Sequence, residues 1–213
     1  MKGLLSEGLG RCGLSLDLEA CRALEVFLAE LLRWNQRVNL TAITDPEIAT
    51  EKHLIDSLLL LPFLVDTESL FDMGSGAGLP GIPLQIARPD LAVTSVDSVG
   101  KKINFQRHVK RLLRLDPFTP IHSRLENVAK ELPQGMRFDV VTARAFASIE
   151  AIIRFGASWR APDGKILVMK GPEGETEAFA AEKNISEAGL MIDRIHKYTL
   201  PFSGAERQLI VLS

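Results

Sequence analysis

The chain has 213 residues, with 25 Lys and Arg against 27 Asp and Glu, a formal net charge of −2 and a pI near 6.1. With 46% apolar and 24% charged residues, it can bury a proper core and is not a disordered tail. The near-neutral balance excludes a histone-like polybasic nucleic-acid binder, but not a local basic patch, because steering depends on where charge sits.

The stretch from Met1 to Glu7 lacks the long apolar run of a signal peptide. Leu58 to Val65, the most apolar run, falls far short of the roughly 20 residues a membrane span needs. Cys12 and Cys21 match no metal-ligand or disulfide framework and read as free thiols in a reducing compartment. The expectation is a soluble cytoplasmic protein that touches no membrane.

Helical spacing comes first. From Asp17 to Leu40, apolar residues recur every three or four positions. Asp45-Pro46-Glu47 opens a second helix, with Asp as N-cap and Pro at the first turn, running through His53 and Asp56 towards Pro62. Beyond Asp66 strands and helices alternate. Strands are expected at Ser69–Met73, Ala92–Asp97, Thr119–His122, Phe138–Ala143 and Ile166–Met169. Helices are expected at Ile82–Arg88, Lys101–Leu115, Leu125–Leu132, Ile149–Arg160 and Glu173–Ala188. This alternation implies a parallel sheet covered on both faces. The last strands, near Met191–Leu200 and Glu206–Leu212, are joined by a loop too short for a crossover and must pair antiparallel.

The densest signal is Phe71-Asp72-Met73-Gly74-Ser75-Gly76-Ala77-Gly78-Leu79-Pro80-Gly81, which follows a strand and opens a helix. Glycines there permit a tight turn and close approach of a ligand to the backbone. Gly76-x-Gly78-x-x-Gly81, with Asp97 after the next strand, formally satisfies the dinucleotide fingerprint. Two features favour a different ligand. Asp72 creates Asp-x-Gly-x-Gly-x-Gly, which looks like the first motif of class I S-adenosylmethionine (SAM) methyltransferases. The C-terminal hairpin resembles that fold's final strand pair. Asp97 would then accept hydrogen bonds from the ribose hydroxyls.

The acceptor is narrowed by what is missing. No cysteine lies near the loop for attack on a pyrimidine carbon, and Val141–Phe146 lacks the Asn/Asp-Pro-Pro-aromatic stretch used on exocyclic amines. His53, His108, His122 and His196 are scattered and read as surface or capping residues rather than bases. A ring nitrogen with a free lone pair, such as guanine N(7), needs no base. Alignment of the reactants alone can be worth about 7–11 kcal/mol.

Charge is unevenly spread. Ser98 to Leu115 holds Lys101, Lys102, Arg107, Lys110, Arg111 and Arg114 and no acid, leaving 19 basic against 27 acidic residues elsewhere. On a helical wheel Arg107, Lys110, Arg111 and Arg114 share one side, a face suited to phosphates or simply to water.

These blocks, together with Trp34-Asn35, Asn39-Leu40-Thr41, His53–Ser57, Gly-Leu-Pro-Gly-Ile-Pro-Leu from Gly78, Asp97-Ser98-x-x-Lys101-Lys102, Ser123–Glu126, Arg144–Ser148 and Lys170-Gly171, resemble the RsmG (GidB) family of bacterial 16S rRNA guanine-N(7) methyltransferases over nearly the whole chain. The resemblance implies a Rossmann-like α/β methyltransferase fold, a mostly parallel seven-stranded sheet with a C-terminal antiparallel hairpin. An N-terminal helical extension (residues 1–66) would precede the SAM-binding domain (67–213). SAM would be the methyl donor, with no metal. Asp72, Gly74, Gly76, Gly78 and Leu79 would form the SAM loop, Asp97 would hold ribose, and Leu125 and Glu126 would meet adenine. Arg144 would complete the site, positioning a phosphate or carboxylate rather than acting as a base. RNA would meet the six basic residues of the 98–115 segment and Lys170. The implied partner is 16S rRNA or the small ribosomal subunit, and the implied state a monomer. The alternative reading is a SAM methyltransferase for another RNA, a protein or a small molecule. Trp34 and Phe27 read as core side chains, Asp56 as a cap or a partner of His53 or Lys52, and Glu126 also as a helix-start carboxylate.

Overall fold

The computed structural model describes residues 3–145 and 147–213. It opens with α1 (Leu4–Arg11), α2 (Leu18–Val38) and α3 (Pro46–Ala49). Asp17 caps α2 by accepting the Ala20 N–H, and Asp45 caps α3 by accepting those of Glu47 and Ile48. α3 runs straight into a π-helical segment, Thr50–Ile55, then α4 (Asp56–Leu58) and a 3-10 turn at Leu61–Phe63. The alternating part follows as β1 (Ser69–Met73), α5 (Gly81–Ala87), β2 (Ala92–Asp97), α6 (Gly100–Leu113) and β3 (Phe118–His122). A 3-10 segment at Leu125–Lys130 leads to β4 (Phe138–Arg144), α7 (Ile149–Gly156) and β5 (Arg160–Lys170). α8 (Gly174–Ala180), α9 (Glu182–Glu187), β6 (Ile192–Thr199) and β7 (Glu206–Leu212) complete the chain.

The sheet order is β3-β2-β1-β4-β5-β7-β6. β1 pairs parallel with β2 and β4, while β7 runs antiparallel between β5 and β6. The mostly parallel sheet with an antiparallel C-terminal hairpin is therefore as expected. Strand order reverses between β1 and β4, the place where open α/β sheets bind ligands at their carboxyl edge.

Side-chain alternation builds two cores. Leu70, Val93, Val140, Leu167, Leu209 and Val211 face α1, α2, the π segment, α5 and α6 in one continuous cluster. Phe71, Val96, Val141, Val168, Ile210 and Leu212 face α7, α8 and α9 in the other. The N-terminal helices thus form part of one layer of the sandwich.

Several elements differ from the sequence-based expectation. α1 was not foreseen; it buries Leu5, Gly8 and Leu9. The expected helix at 125–132 is a 3-10 segment, and the expected 173–188 helix breaks at Ala181, which is buried at the junction. β5 begins at Arg160 rather than Ile166, with a bulge opposite Phe138–Val140. Gly164 lies so close to that strand that a Cβ would come within 2.7 Å of the Asp139 carbonyl oxygen.

Candidate active site

The turn after β1 is made by Gly74, Gly76 and Gly78, with φ of 64°, 58° and 86°. These are left-handed conformations that only glycine enters cheaply. Asp72 works from beneath the turn. Its place in β1 sends it to the same face as Leu70, fully buried, where Oδ2 accepts the Gly81 N–H at 2.9 Å and holds the first turn of α5. A Cβ on Gly81 would lie 2.8 Å from that oxygen. Among the described residues, Asp72 Oδ1 has no hydrogen-bond partner. Burial pushes the carboxyl up to about 7, against the pull of the Gly81 N–H and Arg144.

Gln106, which the sequence reading passed over, pins the loop from above. Its Nε2 donates to Ser75 Oγ and to the Gly76 carbonyl, both at 2.8 Å, and its Oε1 accepts from Ser95 Oγ at 2.6 Å. The signal was available: Gln106 stands three residues from Ile103 and from Val109, an amide inside the apolar stripe of α6.

Beside the loop opens a cleft of 360 Å³ lined by Gly74, Val96, Asp97, Leu125, Glu126 and Phe155, among others. Asp97 Oδ2 accepts the Gly76 N–H at 2.9 Å and Oδ1 that of Val99 at 2.8 Å. Each oxygen keeps a further lone pair. Four expected residues, Gly74, Asp97, Leu125 and Glu126, therefore meet at one cleft. Gly76 is tied to the cleft through its N–H to Asp97, Gly78 packs against Ile82 and Gln106, and the buried Leu79 packs into the core.

Arg144 ends β4 in register with Val140, so it points to the face carrying the N-terminal helices. Its Nη1 donates to the Lys52 carbonyl at 3.0 Å and lies 3.5 Å from Asp56 Oδ2. Asp56 is buried and also accepts the Tyr198 hydroxyl at 3.1 Å, with Arg207 Nε 3.8 Å away. Its partners are thus Arg144, Tyr198 and Arg207, not His53 or Lys52. Burial raises the Asp56 carboxyl and lowers the Arg144 guanidinium from their ordinary values, each against its partner's attraction. His53 is buried rather than at the surface, with Nε2 2.9 Å from Thr41 Oγ1. Burial and the nearby Arg144 bring it down to about 4, so it is neutral at pH 7. Glu51 accepts the N–H groups of Phe202 and Ser203, tying the same π segment to the β6–β7 turn. π segments recur at functional sites. Ala145 follows Arg144 at φ 49°, a strained conformation for a residue with a Cβ. Phe146, within the Arg144–Ser148 motif, lies outside the described residues.

The expected RNA contacts separate. Lys101, Arg107 and Arg111 are exposed on α6, and Lys110 is half-buried. Lys102 turns to the cleft, its Nζ 3.9 Å from Asp97 Oδ2. Arg114 lies past the helix end at φ 52°, so it leaves the wheel face assigned to it. Lys170 Nζ donates to the Ala147 carbonyl and pairs with Glu177 at 2.9 Å, away from α6. Among the described residues, no cluster of His, Cys, Asp and Glu could hold a metal and no helix is long and apolar enough to cross a membrane.

This architecture is shared with solved structures. A ribosomal protein L11 methylase from Lactobacillus delbrueckii subsp. bulgaricus superposes with a TM-score of 0.56 at 15% identity, covering 74% of this chain and 76% of its own. A MtNAS variant in complex with S-adenosylmethionine gives 0.59 at 16% identity, over 88% and 72%. At such identities the likeness is one of fold. Sequence relatives go further. The "Ribosomal RNA small subunit methyltransferase G" of Syntrophotalea carbinolica is 46% identical over 212 residues, 100% of this chain and 97% of the relative. The protein of the same name from Geobacter sp. strain M21 is 40% identical over 211 residues, 99% and 96%. The family described as rRNA small subunit methyltransferase G matches residues 20–210. With its length aligned to these relatives almost end to end and residues 20–210 matched by the family, the chain belongs to the rRNA small subunit methyltransferase G family.

Proposed function

We propose that the protein transfers a methyl group from SAM to N(7) of a guanine in 16S rRNA near the decoding centre, as a cytoplasmic monomer without a metal. The observation that carries this reading is the cleft in which Asp97 and Glu126 stand among Val96, Leu125 and Phe155. Apolar walls suit a purine, and carboxylate oxygens with free lone pairs suit ribose hydroxyls. Gly74, at positive φ, lets a ligand approach the backbone there. Residues 1–66 act in this reading as a helical extension of the 67–213 SAM-binding domain.

When bound, SAM supplies an electrophilic methyl on a sulfonium. The chain's task is then alignment. Guanine N(7) offers its lone pair without losing a proton, so no side chain needs to act as a base. His53, buried and neutral, is consistent with that. Arg144 acts as a positioning residue through Lys52 and Asp56, holding the segment that faces the acceptor side of β4. Lys101, Arg107 and Arg111 meet phosphates from exposed positions on α6. Isothermal calorimetry with SAM tests the cleft: the protein should bind SAM and not NAD, and preference for NAD would overturn the reading.

A further inference from the structure

After Glu30 the helix α2 carries no acid; up to Thr44 its only charged residues are Arg33 and Arg37, both exposed. They flank Trp34, and Arg33, Trp34, Arg37 and Val38 line an open cleft of 380 Å³. Unlike the fully buried Phe27, Trp34 keeps part of its surface exposed. Its ring stands edge-on to Phe105, centroids 5.6 Å apart, and leans on His108 at 5.1 Å. His108 is itself held 2.7 Å from Glu30, which also pairs with Arg33. The indole is therefore a braced plate.

Its place in the fold matters as much. Trp34 meets Phe105 and His108, whereas Ala20 and Ala23 share a cleft with Leu113, so α2 and α6 run antiparallel. The Trp34 end of α2 thus lies beside the middle of α6, a helix that starts just after Asp97 at the carboxyl edge of the sheet. Arg107 and Arg111 extend the basic surface along α6. An aromatic plate between guanidinium groups, with no unpaired carboxylate on it, matches an unpaired nucleobase and its flanking phosphates.

We infer that Trp34, with Arg33 and Arg37, is a stacking site for an unpaired base of the RNA substrate, on the strand leading to the target guanine. The inference rests on the RNA substrate proposed above. Trp34 packs against the core as expected, and the inference gives a role to the part of its ring that stays exposed.

The test uses the full-length protein with Trp159→Phe, which leaves Trp34 as the sole indole, and a single-stranded RNA of about 12 nucleotides. RNA should quench Trp34 emission saturably. Arg33→Gln/Arg37→Gln should weaken binding about fivefold or more and lower the salt slope by about 1–2, with SAM affinity unchanged. Trp34→Phe should keep most of the affinity that Trp34→Leu loses. RNA binding without quenching, or indifference of the double arginine variant while rRNA is still methylated, overturns this inference alone. Weakening seen only with assembled subunits and not with naked RNA assigns the cleft to a protein and overturns it too. A wild-type protein that neither binds nor methylates rRNA overturns the substrate reading and this site together.

Discussion

Arg144 Nη1 lies 3.5 Å from Asp56 Oδ2, and this contact fastens the end of β4 to the helical segment that precedes the sheet. Both groups are nearly closed to solvent, with side-chain exposures of 14% and 7%. Removing one charge of such a pair leaves the other buried and uncompensated. Asp56→Ala should cost about 3–5 kcal/mol in urea unfolding. Asp56→Asn should cost less, because it keeps an acceptor for Tyr198. An alanine variant as stable as the wild type would show that the contact holds nothing together.

Gln106 joins α6 to the glycine turn through three hydrogen bonds. Gln106→Leu fits the space but strands the Ser95 hydroxyl and the Gly76 carbonyl. It should destabilise the fold by about 1–3 kcal/mol and weaken SAM binding. Unchanged SAM affinity in calorimetry would mean that the turn keeps its shape unaided.

These two cases mark how much could be read before the structure. Strand alternation, the glycine turn, Asp97 and the C-terminal hairpin follow from local period and turn chemistry, and apart from the early start of β5 the strands appear at or near their expected bounds. Gln106 was also visible in principle, as an amide within an apolar stripe. Asp56 and Arg144 were not, because 88 residues separate them and only the docking of the π segment against β4 joins them. His53 looked like a surface residue for the same reason: its burial is made by packing, not by its neighbours in sequence. α1 escaped notice because Leu5 and Leu9 alone form too short a stripe. Arg114 was misplaced on the α6 wheel because the helix ends one residue earlier.

Asp97 has two duties, holding the N–H groups of Gly76 and Val99 and offering lone pairs to the cleft. Asp97→Ala should weaken SAM by about 1.5–3 kcal/mol, roughly 10- to 150-fold. Asp97→Asn should also bind worse, since its amide turns a donor towards one of those N–H groups. Equal dissociation constants for wild type and Asp97→Ala would place the ribose elsewhere.

Two buried groups set opposing pH dependences. Asp72 rises from 3.8 to about 7 on folding, so the folded chain binds its proton more readily and stability falls as pH climbs from about 4 to about 7. His53 drops from 6.5 to about 4, so the unfolded chain binds its proton more readily and stability falls as pH descends through that window. Asp72→Asn keeps an acceptor for Gly81 and should raise stability at pH 8, on the order of a few kcal/mol, with little change at pH 4. His53→Gln should do the reverse, flattening the acid limb. Urea titrations at pH 4, 6 and 8 check both; parallel curves for a variant and the wild type would remove that residue from the account.

The central claim is tested most directly by incubating the protein with methyl-labelled SAM and small-subunit particles from a strain lacking the corresponding methyltransferase, then resolving the nucleosides of the 16S rRNA. Label in 7-methylguanosine, lost in Asp97→Ala, is the predicted result. Label in any other nucleoside, or none while a control enzyme methylates the same particles, would contradict it.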